Sequence, residues 1–384
     1  MVSHWRNLDD AAARVVADGT DTALLVALML WLVPTKRSPA ALRQSCRDGS
    51  WTVAQALDQA HAALPPAAAT AAAASQLLET WHRCGVRVAV VGDVAYPSRM
   101  AAGWPELPAP VFLAWRGVPP DEAPAIAMVG ARRASAYGRG VAGWLAEALG
   151  AAGVRIVSGG ALGIDAAAHE AAHQTPGSTT VVLGCGHAVR YPRAHAHPGG
   201  LFDQIIDHGG TIVSEFLPHE PPRANRVRER NRIIAALADA VVVIEGGARS
   251  GSLITAGAAG EWGRQLFAVP GDIRAPQSVA PHQLLRDGAA PCTAPDDLLE
   301  ALDIREPHDQ SSRVANPVST LLPDQVWKLL ADRWPYPMSL DELADTSGVS
   351  AAQLLAVVTR ATAAGELADG VDGVRFRRAP GDVP

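Results

Sequence analysis

Through the middle of the chain, short apolar runs alternate with helical patterns. The runs are Ala125–Val129, Val154–Val157, Thr179–Leu183, Thr211–Val213, Ala240–Ile244 and Gln265–Val269. Runs of this length, bounded by Gly, Ser or Pro, read as buried strands, and the stretches between them carry helical spacing. The alternation predicts an α/β fold with a doubly wound, mostly parallel sheet. Two shorter strand-like stretches, VRVAVVGDVAYPSRM and PAPVFLAWRG, precede the series, and the whole sheet domain is expected to span 81–304. Ahead of it, residues 1–80 are rich in Ala and Leu at helical spacing and predict a small helical domain, with Pro65–Ala74 as a turn leading into a helix. Behind it, a polar linker at 305–319 leads to 320–384, where three helical segments are followed by LADGVDGVRFRR. That order, with an Asp-Gly turn, is the pattern of a winged helix.

In a doubly wound sheet ligands bind beyond the carboxyl ends of the strands, so the residues after each run carry the functional reading. Val129 is followed by Gly130, Arg132, Arg133 and Ser135, the last standing before a helical pattern. A strand, a small-residue turn and a helix N-terminus form an anion site, because free N–H groups and the helix dipole favour phosphate. Only one of the three glycines of a dinucleotide fingerprint is present, so the phosphate reading rests on the arginines. Val157 leads into SGGALGIDAAAH, with Ser158, Gly159, Gly163 and Asp165 at a tight turn and helix start. Ile244 leads into EGGARSGSLIT, where Ser250, Gly251 and Ser252 make a second phosphate cradle. Between Arg223 and Arg232 five arginines face the single acid Glu229, and the last of them are expected near Arg132.

Net charge changes this picture little. At −6 over 384 residues, any nucleic-acid role must come from a local patch. The cysteines Cys46, Cys84, Cys185 and Cys292 are widely spaced, which argues against a zinc cluster or a disulfide framework and fits a reducing cytoplasm. The apolar run Ala23–Val33 is too short to span a bilayer. No cofactor, metal or membrane partner is called for; His187, His195 and His197 lack metal spacing.

Taken together, GDVAYPSRM, VGARRASAYG, SGGALGIDAAAH, VVLGCG, VSEF, RERNRIIAALAD, EGGARSGSLITA and LFAVPG resemble the DprA/Smf family, in order and over roughly residues 86–300. The resemblance implies an extended Rossmann-like domain that binds single-stranded DNA without sequence preference. It also implies a cytoplasmic, non-enzymatic homodimer that protects incoming DNA and loads the RecA recombinase in natural transformation or recombination. Arg132 matches the arginine of the family's G-S-R turn, and Arg230, Asn231 and Arg232 match its R-N-R segment. Two departures stand out: Leu162 replaces an arginine, and Val227 replaces an aromatic ahead of R-N-R.

The expected DNA-binding cations are Arg132, Arg133, Arg226, Arg230 and Arg232; neutralising about four phosphates predicts a salt slope of roughly −3 on a single strand. Arg132 and Arg230 are expected to tolerate Ala without loss of fold. The C-terminal segment, poor in cations on its last helix, is expected to contact protein and not DNA. Two alternatives stand beside this reading. One is an enzyme like the nucleoside-monophosphate hydrolases, for which the Glu245 turn lacks the leading Pro and downstream Glu. The other is an interaction scaffold that has lost DNA binding through Leu162 and Val227. A Ser158–Asp165–His169 nucleophile set is weighed too, with Asp165 and His169 four apart on one helix face, but no nucleophile elbow surrounds Ser158.

Overall fold

The computed structural model describes residues 2–17, 22–35, 39–63, 67–304, 322–334, 336–363, 367–370 and 373–376. The expected linker at 305–319, the start of the Pro65 turn, and Val371 and Asp372 of the expected Asp-Gly turn lie outside them. Five helices open the chain: α1 (Val2–Ala13), α2 (Thr22–Thr35), α3 (Pro39–Gly49), α4 (Val53–Ala63) and α5 (Ala68–Arg83). The sheet domain follows in the order β1 (Arg87–Val90), α6 (Ser98–Ala101), β2 (Phe112–Gly117), β3 (Ala125–Val129), α7 (Ala136–Ala151), β4 (Arg155–Ser158), α8 (Ile164–Ala172) and β5 (Thr179–Val182). It continues through α9 (Leu201–Asp207), β6 (Thr211–Ser214), α10 (Ala224–Ala236), β7 (Ala240–Val243), α11 (Ser252–Glu261), β8 (Gln265–Ala268), α12 (Val279–Arg286), β9 (Ala290–Pro291) and α13 (Pro295–Ala301).

Among the described residues nine strands make one sheet in the order β1-β2-β6-β5-β4-β3-β7-β8-β9. The strands from β3 to β9 pair in parallel, and β2 joins both β1 and β6 antiparallel. The parallel series starts at β3, walks out to β6, returns to β7 and walks out the other way. The strand order therefore reverses between β3 and β7, where the helices on the two sides diverge and leave a crevice.

The continuous apolar runs follow from helices on both faces. Successive residues of a strand point to opposite faces, and β3 divides accordingly. Ala127 and Val129 join Val157, Val241 and Val243 in a core covered by α10 and α11. Ile126 and Met128 join Ile156, Ala240 and Val242 in the core under α7 and α8. The first core also takes in the N-terminal helices: Leu8, Leu25, Leu28 and Trp81 share it with β1 and β2. Trp81 meets the edge of Phe112 at 5.6 Å, and Val16 bridges to Val88 in parallel.

At the C-terminal end, α14 (Asp324–Arg333), α15 (Leu340–Ser347) and α16 (Ala351–Ala363) precede a hairpin of β10 (Leu367–Gly370) and β11 (Gly373–Phe376). Their core is their own, built on Val326, Leu330, Leu343, Leu354 and Val358. The segment packs on α7 through two aromatic pairs. Tyr336 stacks flat on Tyr137 at 5.0 Å, and Trp334 meets Trp144 edge-on at 5.2 Å.

Candidate nucleic-acid interface

A cleft of about 460 Å³ opens at the β3/β7 switch point. Its walls come from the turns after β3 and β4 (Gly130, Arg132, Ala161, Asp165), one face of α10 and the N-terminus of α11 (Ser250, Gly251, Ser252, Thr255). From α10 and the residues before it come Arg223, Ala224, Val227, Arg228, Arg230, Asn231 and Ile234. Ala224, Val227, Arg228 and Asn231 fall at i, i+3, i+4 and i+7, one face of a helix.

The floor is closed by its own polar groups. Arg230 is 4% exposed, and its guanidinium donates to the carbonyl oxygens of Gly159 and Val182 at the ends of β4 and β5. Its Nε donates to Asn231 Oδ1 at 3.2 Å, and Asn231 Nδ2 donates to the Gly251 carbonyl at 3.1 Å, tying α10 to the start of α11. A Cβ at Gly159 would collide with the Arg230 guanidinium, so this glycine makes room for the arginine. Burial pulls the Arg230 pKa down to about 10, with Asp165 opposing and Arg132 adding to the fall. It stays charged at neutral pH. Asp165 is buried in the first turn of α8, where desolvation pushes its carboxyl up against the pull of Arg230, the Ala161 N–H, Ser158 and Arg132. Gly163 caps α8 at φ +86, a left-handed conformation that L side chains rarely adopt. A Cβ there would also strike the Ala131 carbonyl.

The Ser158–Asp165–His169 set weighed above is not joined into a nucleophile chain. The Ser158 hydroxyl donates to the Met128 carbonyl, and Asp165 accepts from the Ala161 N–H at 3.2 Å. His169 Nδ1 meets Thr179 Oγ1 at 2.7 Å, and burial drives its pKa down to about 3, so the ring is neutral.

The anion site expected at the start of α7 is already filled. Ser135 caps the helix by accepting from the Gly138 N–H at 3.0 Å. Its own N–H and hydroxyl both donate to Glu245, a buried carboxylate from the end of β7. Glu245 thus takes the place that sequence reasoning reserves for a phosphate, and Ser135 does not line the cleft.

The arginine run divides as its helical phase dictates. Arg226 pairs with Glu220, donates to the Pro221 carbonyl at 2.7 Å and lies over the Phe216 ring. Arg232 pairs with buried Glu215. Burial lowers the pKa of Arg43 in α3, with Arg232 adding to the fall and Glu215 opposing it. Neither Arg226 nor Arg232 lines the cleft; both expected placements are corrected here, because acids from the β6–α10 connection capture the two side chains. Arg132, Arg223 and Arg228 are the exposed cations of the rim and make no ion pair among the described residues. Arg133 is exposed outside the lining, and Leu162, half exposed, is outside it too. Arg223, Arg228 and the cleft's tyrosine, Tyr191, were not among the expected site residues. The 3–4 spacing from Ala224 is the signal that would have selected Arg228 over Arg226.

A family profile described as DNA recombination-mediator protein A matches residues 87–303. The chain belongs to that family. Protein Smf of Escherichia coli (strain K12) is 45% identical over 177 residues, 46% of this chain and 46% of the relative. The putative DNA processing protein DprA of Mycobacterium tuberculosis (strain ATCC 25618 / H37Rv) is 40% identical over 252 residues, 65% of this chain and 63% of the relative. The chain thus spans about half to just under two thirds of the length of these curated relatives. The solved DNA processing protein A of Streptococcus pneumoniae superposes with a TM-score of 0.55 at 29% identity, covering 72% of this chain and 97% of that one. The expected α/β fold with its Rossmann-like, mostly parallel sheet is the one observed. Among the described residues no helix is long and apolar enough to cross a membrane.

Proposed function

We propose that this chain is a non-catalytic, cytoplasmic single-stranded DNA-binding protein of DNA processing, holding the strand in the switch-point cleft. The observation that carries the reading is the rim: three exposed arginines, Arg132, Arg223 and Arg228, that make no ion pair among the described residues, around a cleft at the reversal of strand order. Each can displace a counterion from a phosphate, whatever the base. Gly130, Asn231, Ser250, Gly251 and Ser252 supply short polar walls between them. Of the other expected site residues, Arg230, Gly159, Gly163, Ser158 and Asp165 hold the floor behind the rim, and Ser135 holds the loop that carries Arg132 and Arg133. Family membership extends the proposal to protection of incoming DNA and loading of the RecA recombinase, by a homodimer, in natural transformation or recombination.

The test is a titration of the purified full-length protein with single- and double-stranded oligonucleotides of equal length at several salt concentrations. Three rim arginines predict log K falling with log salt at a slope of about −2 on a single strand. That value replaces the slope of roughly −3 expected when Arg226 and Arg232 are counted in. Equal affinity for duplex and single strand, or no salt response, overturns the reading.

A further inference from the structure

We propose that Tyr191 is the nucleobase platform of the cleft, the surface on which one base of a bound strand stacks. The inference rests on the single-strand reading above and adds the part of the ligand that the arginines do not touch. Tyr191 is the one aromatic side chain among the residues lining the cleft, and it keeps 37% of its surface exposed. It belongs to the loop after β5, whereas the rim arginines come from the β3 turn and from α10. The same lining includes the apolar Val129, Val227 and Ile234. The cleft thus combines an apolar stretch with one flat ring, while its free cations stand at the rim. A nucleotide divides in the same way, into a charged phosphate and a flat, weakly polar base.

No other aromatic ring lines the cleft. Val227, where the family resemblance expects an aromatic, has no ring. The Arg230 guanidinium, which could otherwise stack on a base, is fixed to the Gly159 and Val182 carbonyls. Among the described residues the other exposed aromatic side chains, Trp51 and Tyr336, lie outside the cleft. Stacking on a single ring tolerates any base, because every base presents a π face.

The experiment compares a labelled oligothymidine strand with the same strand carrying abasic sites, binding each to the full-length protein and to Y191F and Y191L. Loss of one stacked base corresponds to about five- to hundredfold in affinity. Wild type and Y191F should prefer the base-bearing strand by that factor. Y191L should bind both strands alike, at the wild-type affinity for the abasic strand and with an unchanged salt slope. A wild type without preference, or a Y191L that retains it, overturns the platform and leaves the arginine rim standing. A wild type that binds neither strand overturns the single-strand reading and the platform with it. Photocrosslinking of a 5-iodouracil strand to the unmutated protein is independent of how Y191L folds. The peptide carrying Tyr191 should be the crosslinked one, and crosslinks confined to other residues overturn the proposal.

Discussion

Arg230 and Arg228 stand two positions apart on α10, yet one is sunk in the floor of the cleft and the other stands free on its rim. The two helix N-termini at the switch point repeat the contrast. That of α7 is occupied by Glu245, whereas that of α11 opens on the cleft through Ser250, Gly251 and Ser252. Floor groups are saturated by partners within the chain, because a buried polar group without one costs several kcal/mol. Rim groups are left to water and are available to a ligand. Residue type alone therefore does not mark a binding group; its partners do.

The largest effect should come from breaking the floor. Arg230→Ala leaves two strand-end carbonyls and Asp165 without their buried cation, so a loss of about 3 kcal/mol in urea unfolding is expected. Arg230→Lys should rescue little of it, since an ammonium does not reproduce a planar guanidinium whose Nη1 serves both carbonyls while its Nε donates to Asn231. This corrects the expectation that Arg230, like Arg132, tolerates Ala: the first sits inside the protein and the second on its surface. Wild-type stability in R230A would show that the floor is not held this way.

Acid should weaken the fold through its buried histidines. His169 is buried and neutral with its pKa lowered from 6.5 to about 3, and burial lowers His187 to about 4. Between these values and 6.5 the unfolded chain binds more protons than the folded one, so stability rises with pH there and falls on acidification. His169 alone should cost about 2 kcal/mol at pH 5. Asp165, whose carboxyl is pushed up by burial, opposes part of this. Thermal melts between pH 7 and 4.5 should show the loss, and His169→Asn should flatten it; an unchanged acid slope in the variant removes His169 from the account.

The Glu245 contact can be opened deliberately. Glu245→Ala removes a carboxylate that accepts from both the Ser135 N–H and hydroxyl, which should cost up to about 2 kcal/mol. It also vacates the anion site at the start of α7. Inorganic phosphate should then raise the melting temperature of E245A more than that of wild type, by mass action on the folded state. Equal shifts would mean that Glu245 is not holding an anion's place.

These contrasts explain what could be read before the fold was known. The strands from β3 to β8 are legible because buried parallel strands are continuous apolar runs. The cradle at Ser250–Ser252 is legible because small residues cluster where a strand meets a helix. Ser135 is legible as a cap but not as a filled site, because Glu245 lies 110 positions away. Arg226 and Arg232 are misplaced for a different reason: their partners, Glu220 and Glu215, are near in sequence but lie in the irregular connection after β6, which has no helical phase to read. Arg228 was recoverable from helical phase alone.

At the rim, effects should be smaller and uniform. Arg132→Ala and Arg228→Ala should each weaken single-strand binding roughly fivefold for every base composition, and each should reduce the salt slope by about 0.7. Arg232→Ala, which sits on the far side of α10 against Glu215, should leave affinity unchanged. Affinity that falls with Arg232 and not with Arg228 would reverse the assignment of rim and floor.

The smallest effect on DNA binding should follow from removing the C-terminal segment. Its last helix, α16, offers Gln353 and the single cation Arg360 among Ala, Leu, Val and Thr. α15 carries Asp341 and Glu342 in its first turn, so this surface gains little from counterion release. The segment is also committed elsewhere: Tyr336 and Trp334 hold it to Tyr137 and Trp144 of α7, and the Tyr137 hydroxyl donates to the Pro270 carbonyl at 2.7 Å. Each aromatic pair adds about 1 kcal/mol beyond burial. Truncation at Val314 should therefore lower the stability of α7 and its surroundings while changing single-strand affinity less than twofold. Residues 315–384, expressed alone, should not bind duplex DNA at micromolar affinity in physiological salt. If they do, or if truncation abolishes most of the single-strand affinity, the segment is a second DNA reader, and the rim at the switch point is only part of the interface.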